Sequence, residues 1–306
     1  MPRPAFRGAV VQVRVPATSA NLGPGFDALG LALALYDDVI ARVADGGVSI
    51  DVAGEGDDTV PRDETHLIAR AMRTTFDRLG GQPPGLELVC ANRIPHGRGL
   101  GSSSAAIVAG ILLARALVLG GAENLDDAAV LQLASDLEGH PDNVAPCLRG
   151  GLTVAWTGAD ARVGALRLEP AAALTPVVFI PPYESSTAQV RKLLPATVPH
   201  ADAAFNAARS ALLVAALTGT ASEAALLTAT EDRLHQPYRA PAMAESAQLV
   251  ADLRAAGVPA VISGAGPSVL ALTRDEREQK TALHAVPDRW RGLALAVDGN
   301  GAGLVG

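Results

Sequence analysis

Aromatic residues are scarce in this chain of 306 residues, at 3% of the total, and cysteine occurs only twice. A buried core must therefore be built from Ala, Val, Leu and Ile, and the hydrophobic fraction of 49% is large enough for one. So few aromatic side chains argue against stacking platforms for single-stranded nucleic acid. Cys90 and Cys147 do not form a CxxC pair. This excludes a structural zinc site built on them and favours free thiols in a reducing compartment.

Long apolar runs and basic clusters are missing as well. The longest apolar stretch, residues 105–119, is interrupted by Gly110 and Arg115 and is shorter than the ~20 residues of a membrane-spanning helix. Residues 1–12 contain no apolar segment typical of a secretion signal. The formal net charge of −7, without a basic run, argues against a nucleic-acid partner. We therefore expect a cytoplasmic protein that binds neither membranes nor nucleic acid, and a homodimer is one option for its assembly.

Predicted strands and helices alternate along the chain. Residues 10–15 alternate between apolar and polar side chains, which predicts a strand, and residues 17–25 are rich in Ser, Asn, Gly and Pro, which predicts a loop. The spacing of apolar residues predicts helices over 65–79 and 102–119. Because the elements do not follow a regular strand–helix–strand spacing, the pattern indicates an α+β protein with two layers.

A glycine-rich segment, the glycine-serine loop (residues 95–104), joins a predicted strand to the second of these helices. Glycines allow the backbone to approach an anion closely, and the first N–H groups of a helix lack intrahelical partners and carry partial positive charge. The serine hydroxyls can cap the helix or contact phosphate and Mg²⁺. No lysine follows the last glycine, and the glycines are evenly spaced, so the loop is neither a Walker A motif nor a dinucleotide fingerprint. Taken alone, it is also typical of an ordinary turn with a serine cap.

The residues around this loop resemble a known family. Residues 94–105 closely resemble the ATP-binding motif of the GHMP kinases, which phosphorylate galactose, homoserine, mevalonate and phosphomevalonate. Residues 15–30 are similar to the N-terminal motif of that family, and residues 262–269 are similar to its third motif. Three motifs in this order are more specific than any one of them. The resemblance implies that ATP is bound by Pro95, His96, Gly97, Arg98, Gly99, Leu100, Gly101, Ser102, Ser103, Ser104 and Ala105.

The resemblance also implies a fold. GHMP kinases have two domains, an N-terminal ribosomal protein S5 domain 2-like domain and a C-terminal ferredoxin-like domain. The pattern of predicted elements changes near residues 159–173. We therefore expect an N-terminal ATP-binding domain over residues 1–165 and a C-terminal domain over residues 166–306.

Residues 138–146 are similar to the homoserine kinases of this family. The resemblance implies that Glu138 holds Mg²⁺ together with Ser102 or Ser103, and that His140 faces the homoserine. Without that resemblance, the segment is a helix end followed by an Asp-Asn turn, and a lone histidine is more often a surface or core residue than a catalytic one.

Side chains suited to an amino-acid substrate lie elsewhere in the chain. Asp27 can accept hydrogen bonds from an ammonium group and Asn21 can bond a hydroxyl or carboxylate, although both residues also suit Asx turns. Arg191 and Arg239 match the places of substrate-binding arginines in homoserine kinases, and a guanidinium can clamp an α-carboxylate with two parallel N–H bonds. Gly264 completes the substrate-binding set that the resemblance implies. The expected substrates are L-homoserine and ATP, with Mg²⁺ as cofactor, and the expected product is O-phospho-L-homoserine in threonine biosynthesis.

Galactose- and mevalonate-type members of the family place a catalytic Asp where this chain has Asn143. An amide cannot accept the proton of the hydroxyl as a carboxylate can. We therefore expect direct in-line attack of the substrate hydroxyl on the γ-phosphorus, with the proton leaving to the γ-phosphate itself. Asn143, His140 and Arg191 are the expected catalytic residues, which position the reactants and neutralise charge.

Two alternatives stay open. Another GHMP kinase could act on mevalonate or a phosphorylated alcohol, but such substrates lack the ammonium group that would explain Asp27. A non-catalytic relative would be expected to lose the glycine-serine loop or the Mg²⁺ ligands, and neither loss is seen. A dinucleotide-binding oxidoreductase fits less well, because no strand–helix–strand unit with an acidic ribose ligand surrounds the loop.

A few residues are left without a firm role. Arg98 is unusual, because small residues are commoner at that place in the family. Asn92 is a candidate for the adenine pocket. No role is assigned to His66 and His235, which we expect to be exposed.

Overall fold

The computed structural model of the protein describes residues 4–222 and 224–305. Within them the chain forms two β-sheets, one with seven strands and one with four. The seven-stranded sheet comprises β1 (Val11–Ala20), β2 (Leu29–Ala44), β3 (Gly47–Gly54), β4 (Gly85–Asn92), β5 (Leu152–Thr157), β6 (Val163–Leu168) and β11 (Gly303–Leu304). The four-stranded sheet comprises β7 (Thr175–Ile180), β8 (Ala260–Ile262), β9 (Val269–Thr273) and β10 (Arg291–Ala294).

The first sheet has the order β11-β1-β2-β4-β3, with β5 paired to β2 and β6 paired to β5. Its strands are antiparallel apart from the parallel pair β3 and β4. The loop expected over residues 17–25 is wrong at its start, because β1 continues to Ala20. A register shift between Pro16 and Ala17 keeps β1 paired with β2 beyond that point, and this pairing buries the polar Thr18.

The helices in the first half of the chain are α1 (Leu67–Arg78), α2 (Ser102–Leu117), α3 (Gly121–Asn124), α4 (Asp127–Glu138) and α5 (Val144–Arg149). Of these, α2, α4 and α5 pack against strands of the first sheet, and α1 and α3 pack on α2. The helices predicted over 65–79 and 102–119 are confirmed as α1 and α2. Most of α2 is buried, since its Ala, Ile, Val and Leu side chains pack against α1 and β1. Gly110 permits the close approach of α1, because a Cβ there would lie 2.6 Å from the carbonyl oxygen of Ile68.

The second sheet is antiparallel, in the order β10-β7-β9-β8. The helices in this half of the chain are α6 (Thr187–Arg191), α7 (His200–Leu217), α8 (Ala225–Ala229), α9 (Gln236–Arg239), α10 (Ala244–Ala255) and α11 (Glu276–His284). Helices α10 and α11 pack on the sheet, whereas α7 and α8 pack on each other. None of the helices in the described part of the chain is both long and apolar enough to cross a membrane.

The chain passes between the two sheets more than once. β6 leads into β7, and β11 returns to pair with β1. The division expected between residues 165 and 166 lies inside β6, and that division stays a prediction.

Candidate active site

Two glycine-containing loops from different sheets touch at their backbones. The glycine-serine loop precedes α2, and residues 263–268 connect β8 to β9. The Ser263 hydroxyl donates to the carbonyl oxygen of Gly99 over 2.7 Å. A Cβ on Gly99, which has a φ of +74°, would collide with the Ser263 carbonyl oxygen and lie 2.8 Å from that of Gly266. Space and backbone conformation therefore both require glycine at position 99.

The loop between β1 and β2 joins the same contact. Asn21 and Asp27 have positive φ angles of 68° and 55°, which Asn and Asp adopt more readily than most residues. The Asn21 side chain accepts a hydrogen bond from the backbone N–H of Asp27 (3.0 Å) and donates one to the carbonyl oxygen of Gly264 (2.9 Å). Residues from all three motifs thus meet, and Asn21 holds the backbone of Asp27 in place.

Glu138, the last residue of α4, faces the first turn of α2. Its carboxylate oxygens accept hydrogen bonds from the hydroxyls of Ser103 and Ser104, each 2.7 Å long. A serine cap on α2 is therefore wrong: the N-cap is Gly101, without a side-chain hydrogen bond, and these two hydroxyls turn to the carboxylate instead. Of the two serines expected at the metal, it is Ser103 rather than Ser102 that contacts Glu138. Across the described residues, no group of three or more His, Cys, Asp or Glu could hold a metal ion.

Arg98 ties the glycine-serine loop to the chain that follows β7. Its guanidinium donates to the carbonyl oxygens of Pro181 (2.9 Å) and Pro182 (3.0 Å) and pairs with Glu184 at 3.0 Å. These contacts occupy the guanidinium, so this arginine anchors the loop rather than adding free positive charge to it.

His140 and Asp142 form a close pair, with 2.5 Å between Nδ1 and a carboxylate oxygen. Asp142 is buried. The hydrogen bond to its carboxylate raises the pKa of His140 above its usual value, an effect that outweighs the lowering of this pKa by burial. With Nδ1 engaged, Nε2 is the ring nitrogen that can meet a ligand, and in the protonated ring it is a donor rather than a base.

Asn143 stands at the start of α5 and contacts β1. Its side-chain oxygen accepts a hydrogen bond from the hydroxyl of Thr18, over 2.8 Å. The NH₂ group of the same amide can still donate to a ligand. An amide oriented in this way can position a hydroxyl but cannot remove its proton.

Arg191, at the end of α6, forms a two-bonded ion pair with Asp27. Nη1 and Nη2 donate to the two carboxylate oxygens over 2.8 and 2.7 Å. The hydrogen bonds that Arg191 donates to this carboxylate raise the pKa of Arg191. Both side chains remain substantially exposed, at 41% for Arg191 and 37% for Asp27. The pair is thus open to the cleft and to competing ligands.

Arg239, at the end of α9, is buried at 4% exposure. Its Nη1 donates to the Gly264 carbonyl oxygen at 3.5 Å, its guanidinium lies 4.9 Å from the centre of the Phe26 ring, and its Nε has no hydrogen-bond partner. Burial, and then the neighbouring charge of Arg191, lower the pKa of Arg239. A buried guanidinium with an unused donor is suited to an anion that enters from the cleft.

Phe26 links the two arginines to a buried carboxylate. Its ring stacks on the imidazole of His235 at a centroid distance of 4.0 Å, and the Arg191 guanidinium lies 5.3 Å from the ring centre. His235 is largely buried, so the expectation that it is exposed is wrong. Asp232 holds it there, because its carboxylate accepts hydrogen bonds from both the ring and the backbone N–H of His235.

These groups border one cleft of about 550 Å³ between the two sheets. Asp27 reaches it through its ion pair with Arg191. Pro95 and Leu100 are instead buried within the loop. The expected site residues that line the cleft are Asn21, Gly97, Gly99, Gly101, Ser102, Ser103, Glu138, His140, Asn143, Arg191, Arg239 and Gly264.

A second and more apolar pocket, of about 270 Å³, shares Ser102 and Ser103 with the cleft. The expectation that His66 is exposed is wrong, because it is buried in this pocket and its Nδ1 accepts a hydrogen bond from the first turn of α1. Burial lowers the pKa of His66. The walls of the pocket include Val39, Val60, His66, Ile68, Asn92, His96, Ala105 and Ala109.

Thr18, Asp142 and Phe26 support the site but were missed by reasoning from the sequence. Thr18 falls in the segment predicted to be a loop. Asp142 and Phe26 lie inside the motifs, each next to an expected site residue. A carboxylate two residues from a histidine, and an aromatic ring in a chain with few of them, are signals that could have found both.

The His140–Asp142 pair predicts a pKa change. In Asp142→Asn the charged hydrogen-bond acceptor is lost while burial remains, so the pKa of His140 should fall, and the neutral imidazole should persist to lower pH. Two-dimensional NMR titration of the imidazole protons measures this pKa, and the remaining histidines are the internal control. An unchanged His140 titration would show that Asp142 does not set its charge.

Comparison with known proteins identifies the family. The sequence model described as GHMP kinases N terminal domain matches residues 66–151, and that described as GHMP kinases C terminal matches residues 211–292. The chain is 62% identical over 306 residues to a homoserine kinase from Streptomyces avermitilis, covering 100% of this chain and 99% of the relative. It is 54% identical over 300 residues to a homoserine kinase from Clavibacter michiganensis, covering 96% of this chain and 94% of the relative.

Solved structures share the fold. A homoserine kinase from Cytophaga hutchinsonii superposes with a TM-score of 0.83 at 27% identity, covering 98% of both chains. A mevalonate diphosphate decarboxylase from Staphylococcus aureus has a TM-score of 0.72 at 15% identity, covering 97% of this chain and 98% of that one, and shows the fold alone. The expected α+β two-domain fold is thereby confirmed, and the chain belongs to the GHMP kinase family.

Proposed function

We propose that this protein transfers the γ-phosphate of ATP to the side-chain hydroxyl of L-homoserine, forming O-phospho-L-homoserine for threonine biosynthesis. One observation carries the proposal. The glycine-serine loop lies between an apolar pocket and a polar cleft that offers both a carboxylate and two guanidinium groups. A nucleotide and a zwitterion could therefore meet at the start of α2. The close relatives named as homoserine kinases support the same reaction.

The apolar pocket is suited to the base of ATP. Its aliphatic walls can cover the faces of a purine, and Asn92 and His66 offer polar edges. With the base in this pocket, the triphosphate would lie along the glycine-serine loop, where the N–H groups at the start of α2 and its dipole favour negative charge. Asn92, an expected adenine-pocket residue, lines this pocket.

The residues at the start of α2 also fit Mg²⁺. Glu138 and Ser103 provide a carboxylate and a hydroxyl within hydrogen-bond distance of each other, and Mg²⁺ prefers oxygen ligands. No larger ligand cluster exists in the described residues, which suits an ion that takes its remaining ligands from phosphate and water. When bound, Mg²⁺ would neutralise developing phosphate charge.

The acceptor is held by charges of both signs. Asp27 would bind the ammonium group of homoserine, and Arg191 and Arg239 would bind its carboxylate. Asn21 accepts a hydrogen bond from the backbone N–H of Asp27 and lines the same cleft with Gly264, so its second amide N–H could donate to the substrate. A substrate without an ammonium group, such as mevalonate, would leave Asp27 unmatched.

Transfer then needs positioning more than a base. The Asn143 amide can donate to the hydroxyl but cannot accept its proton, and His140, whose Nδ1 is paired with the buried Asp142, would position the acceptor. The hydroxyl oxygen would attack the γ-phosphorus in line while the bond from that phosphorus to the β–γ bridging oxygen breaks. The hydroxyl proton would pass to an oxygen of the transferred phosphate, and ADP would leave. A cytoplasmic location, where ATP is available, and a homodimer stay predictions from the sequence.

A substrate panel tests the proposed reaction. ADP release is measured with L-homoserine, L-serine and mevalonate at equal concentrations, and only L-homoserine should support rapid turnover. The hydroxyl of serine is one methylene too short to reach the phosphate, and mevalonate lacks the ammonium group. Turnover with mevalonate alone would indicate another acceptor, and no turnover at all would indicate a binding protein.

Alanine variants at positions 140 and 143 test the mechanism. Without a protein base, His140→Ala and Asn143→Ala should each lower kcat by less than about 100-fold, because each removes one positioning contact. His200→Ala, at the exposed start of α7, is the control and should match the parent. A fall of about 10⁴-fold at either site with unchanged KM would identify a true general base.

Arg239→Met distinguishes a role of Arg239 in substrate binding from a role in stability. Because the buried guanidinium lacks a partner for Nε, an apolar side chain of similar length should leave Tm unchanged or raise it. The KM for L-homoserine should rise about 30-fold or more, since the carboxylate loses a desolvated partner. Arg254→Met is the matched control. This partly buried arginine bonds Thr230 and the Leu227 carbonyl outside the cleft, so Tm should fall while KM stays unchanged.

A further inference from the structure

The Asp27–Arg191 ion pair joins the two groups that the proposed function assigns to opposite ends of the substrate. The carboxylate would meet the ammonium group, and the guanidinium would meet the α-carboxylate. In the structure they satisfy each other through two hydrogen bonds of 2.8 and 2.7 Å. Both bonds must break before either group can bind a ligand in the same geometry.

We propose that this ion pair is a built-in competitor that makes the acceptor site selective for zwitterions. Binding is an exchange in which one internal ion pair is replaced by two ion pairs to the substrate. The inference rests on the proposed function, because it takes an α-amino acid as the acceptor. It adds that the Asp27–Arg191 pair disfavours the binding of molecules that carry a single charge.

The number of ion pairs lost and formed on binding explains why the site would prefer zwitterions. A ligand with only a carboxylate can take Arg191 but leaves Asp27 unpaired, so it loses one ion pair for each one it forms. A ligand with only an ammonium group leaves Arg191 unpaired in the same way. A zwitterion restores partners to both groups, and its net charge of zero adds no uncompensated charge to the cleft.

Arg191 is the partner that moves. Asp27 is held at its backbone N–H by Asn21, whereas Arg191 ends a short helix and presents a long, 41% exposed side chain. Arg239 cannot take part in the exchange, because it is buried under Phe26 and forms no ion pair in the part of the chain that the structure describes. Arg239 is therefore the fixed part of the proposed carboxylate site, and Arg191 is the part that moves to complete it.

The test uses 4-hydroxybutanoate, which is homoserine without its amino group. In Asp27→Asn the competitor is removed and Arg191 is released, so kcat/KM for 4-hydroxybutanoate should rise about two- to fivefold above the parent. Over the same change, kcat/KM for L-homoserine should fall about 30-fold or more, because the ammonium group loses its partner. Asparagine tolerates the positive φ of position 27, so the backbone should be kept.

The same substitution in an Arg191→Gln variant distinguishes the exchange of ion pairs from a simple loss of negative charge near the ligand. In Arg191→Gln, the further change Asp27→Asn should give no gain with 4-hydroxybutanoate, because no guanidinium is left to release. A gain that persists there would overturn the proposal in favour of general repulsion. The converse ligand is 3-aminopropan-1-ol, which is homoserine without its carboxylate. Its kcat/KM should be higher with Arg191→Gln than with the parent, because Asp27 is then released.

Glu87→Gln is the matched control. It removes a carboxylate from an exposed pair with Arg42 on the first sheet, outside the cleft. It should leave kcat/KM unchanged for both L-homoserine and 4-hydroxybutanoate. If the parent phosphorylates L-homoserine but Asp27→Asn shows no gain with 4-hydroxybutanoate, the exchange is wrong and the proposed function stands. If the parent does not phosphorylate L-homoserine, the proposed function itself fails.

Discussion

The site depends on the close approach of two backbones at Gly99. The glycine-serine loop of the first sheet and the 263–268 loop of the second meet where no Cβ can fit. The Ser263 hydroxyl fixes this contact, and the Gly264 carbonyl it leaves nearby is shared by Asn21 and Arg239. The groups proposed to bind phosphate and those proposed to bind the acceptor are thus both attached to this one contact, which would keep an in-line geometry between the two sheets.

The cleft is rich in charge yet largely compensated from within. Glu138 is satisfied by two serine hydroxyls and Asp27 by Arg191. Arg239 is the exception, because its partners are a carbonyl and an aromatic face. Burying a guanidinium in this way costs free energy that a ligand carboxylate can recover. The uncompensated charge of Arg239 therefore supports the proposal that it binds a ligand anion.

The sequence was sufficient for the fold and for most of the cleft, because motifs and periodicity are local signals. The buried helix α2 follows from its apolar composition, and most of the motif residues do meet. The failures are tertiary. Thr18 lies in a polar segment that local propensity assigns to a loop, and pairing with β2 overrides that propensity. His235 is buried because Asp232 and Phe26 enclose it, and neither contact is visible in the spacing of residues.

Contacts between residues that are far apart in the sequence could not be predicted from local patterns either. Ser104 was expected to cap or to bind phosphate, and only the end of α4 reveals that it faces Glu138. The role of Arg98 could not be predicted, because it bonds backbone carbonyl oxygens and the distant Glu184, and neither contact leaves a signature in a sequence.

The anchoring of Arg98 has a consequence for engineering. Arg98 donates hydrogen bonds to the carbonyl oxygens of Pro181 and Pro182, shortly before α6. The length of the segment between β7 and α6 therefore affects the position of the glycine-serine loop. A designer who seeks a new acceptor can vary Ala188, the other α6 residue that lines the cleft with Arg191, without changing the length of the chain. Insertions or deletions between residues 181 and 186 would instead pull on the nucleotide side, so acceptor range in this scaffold is better diversified by substitution than by grafting loops.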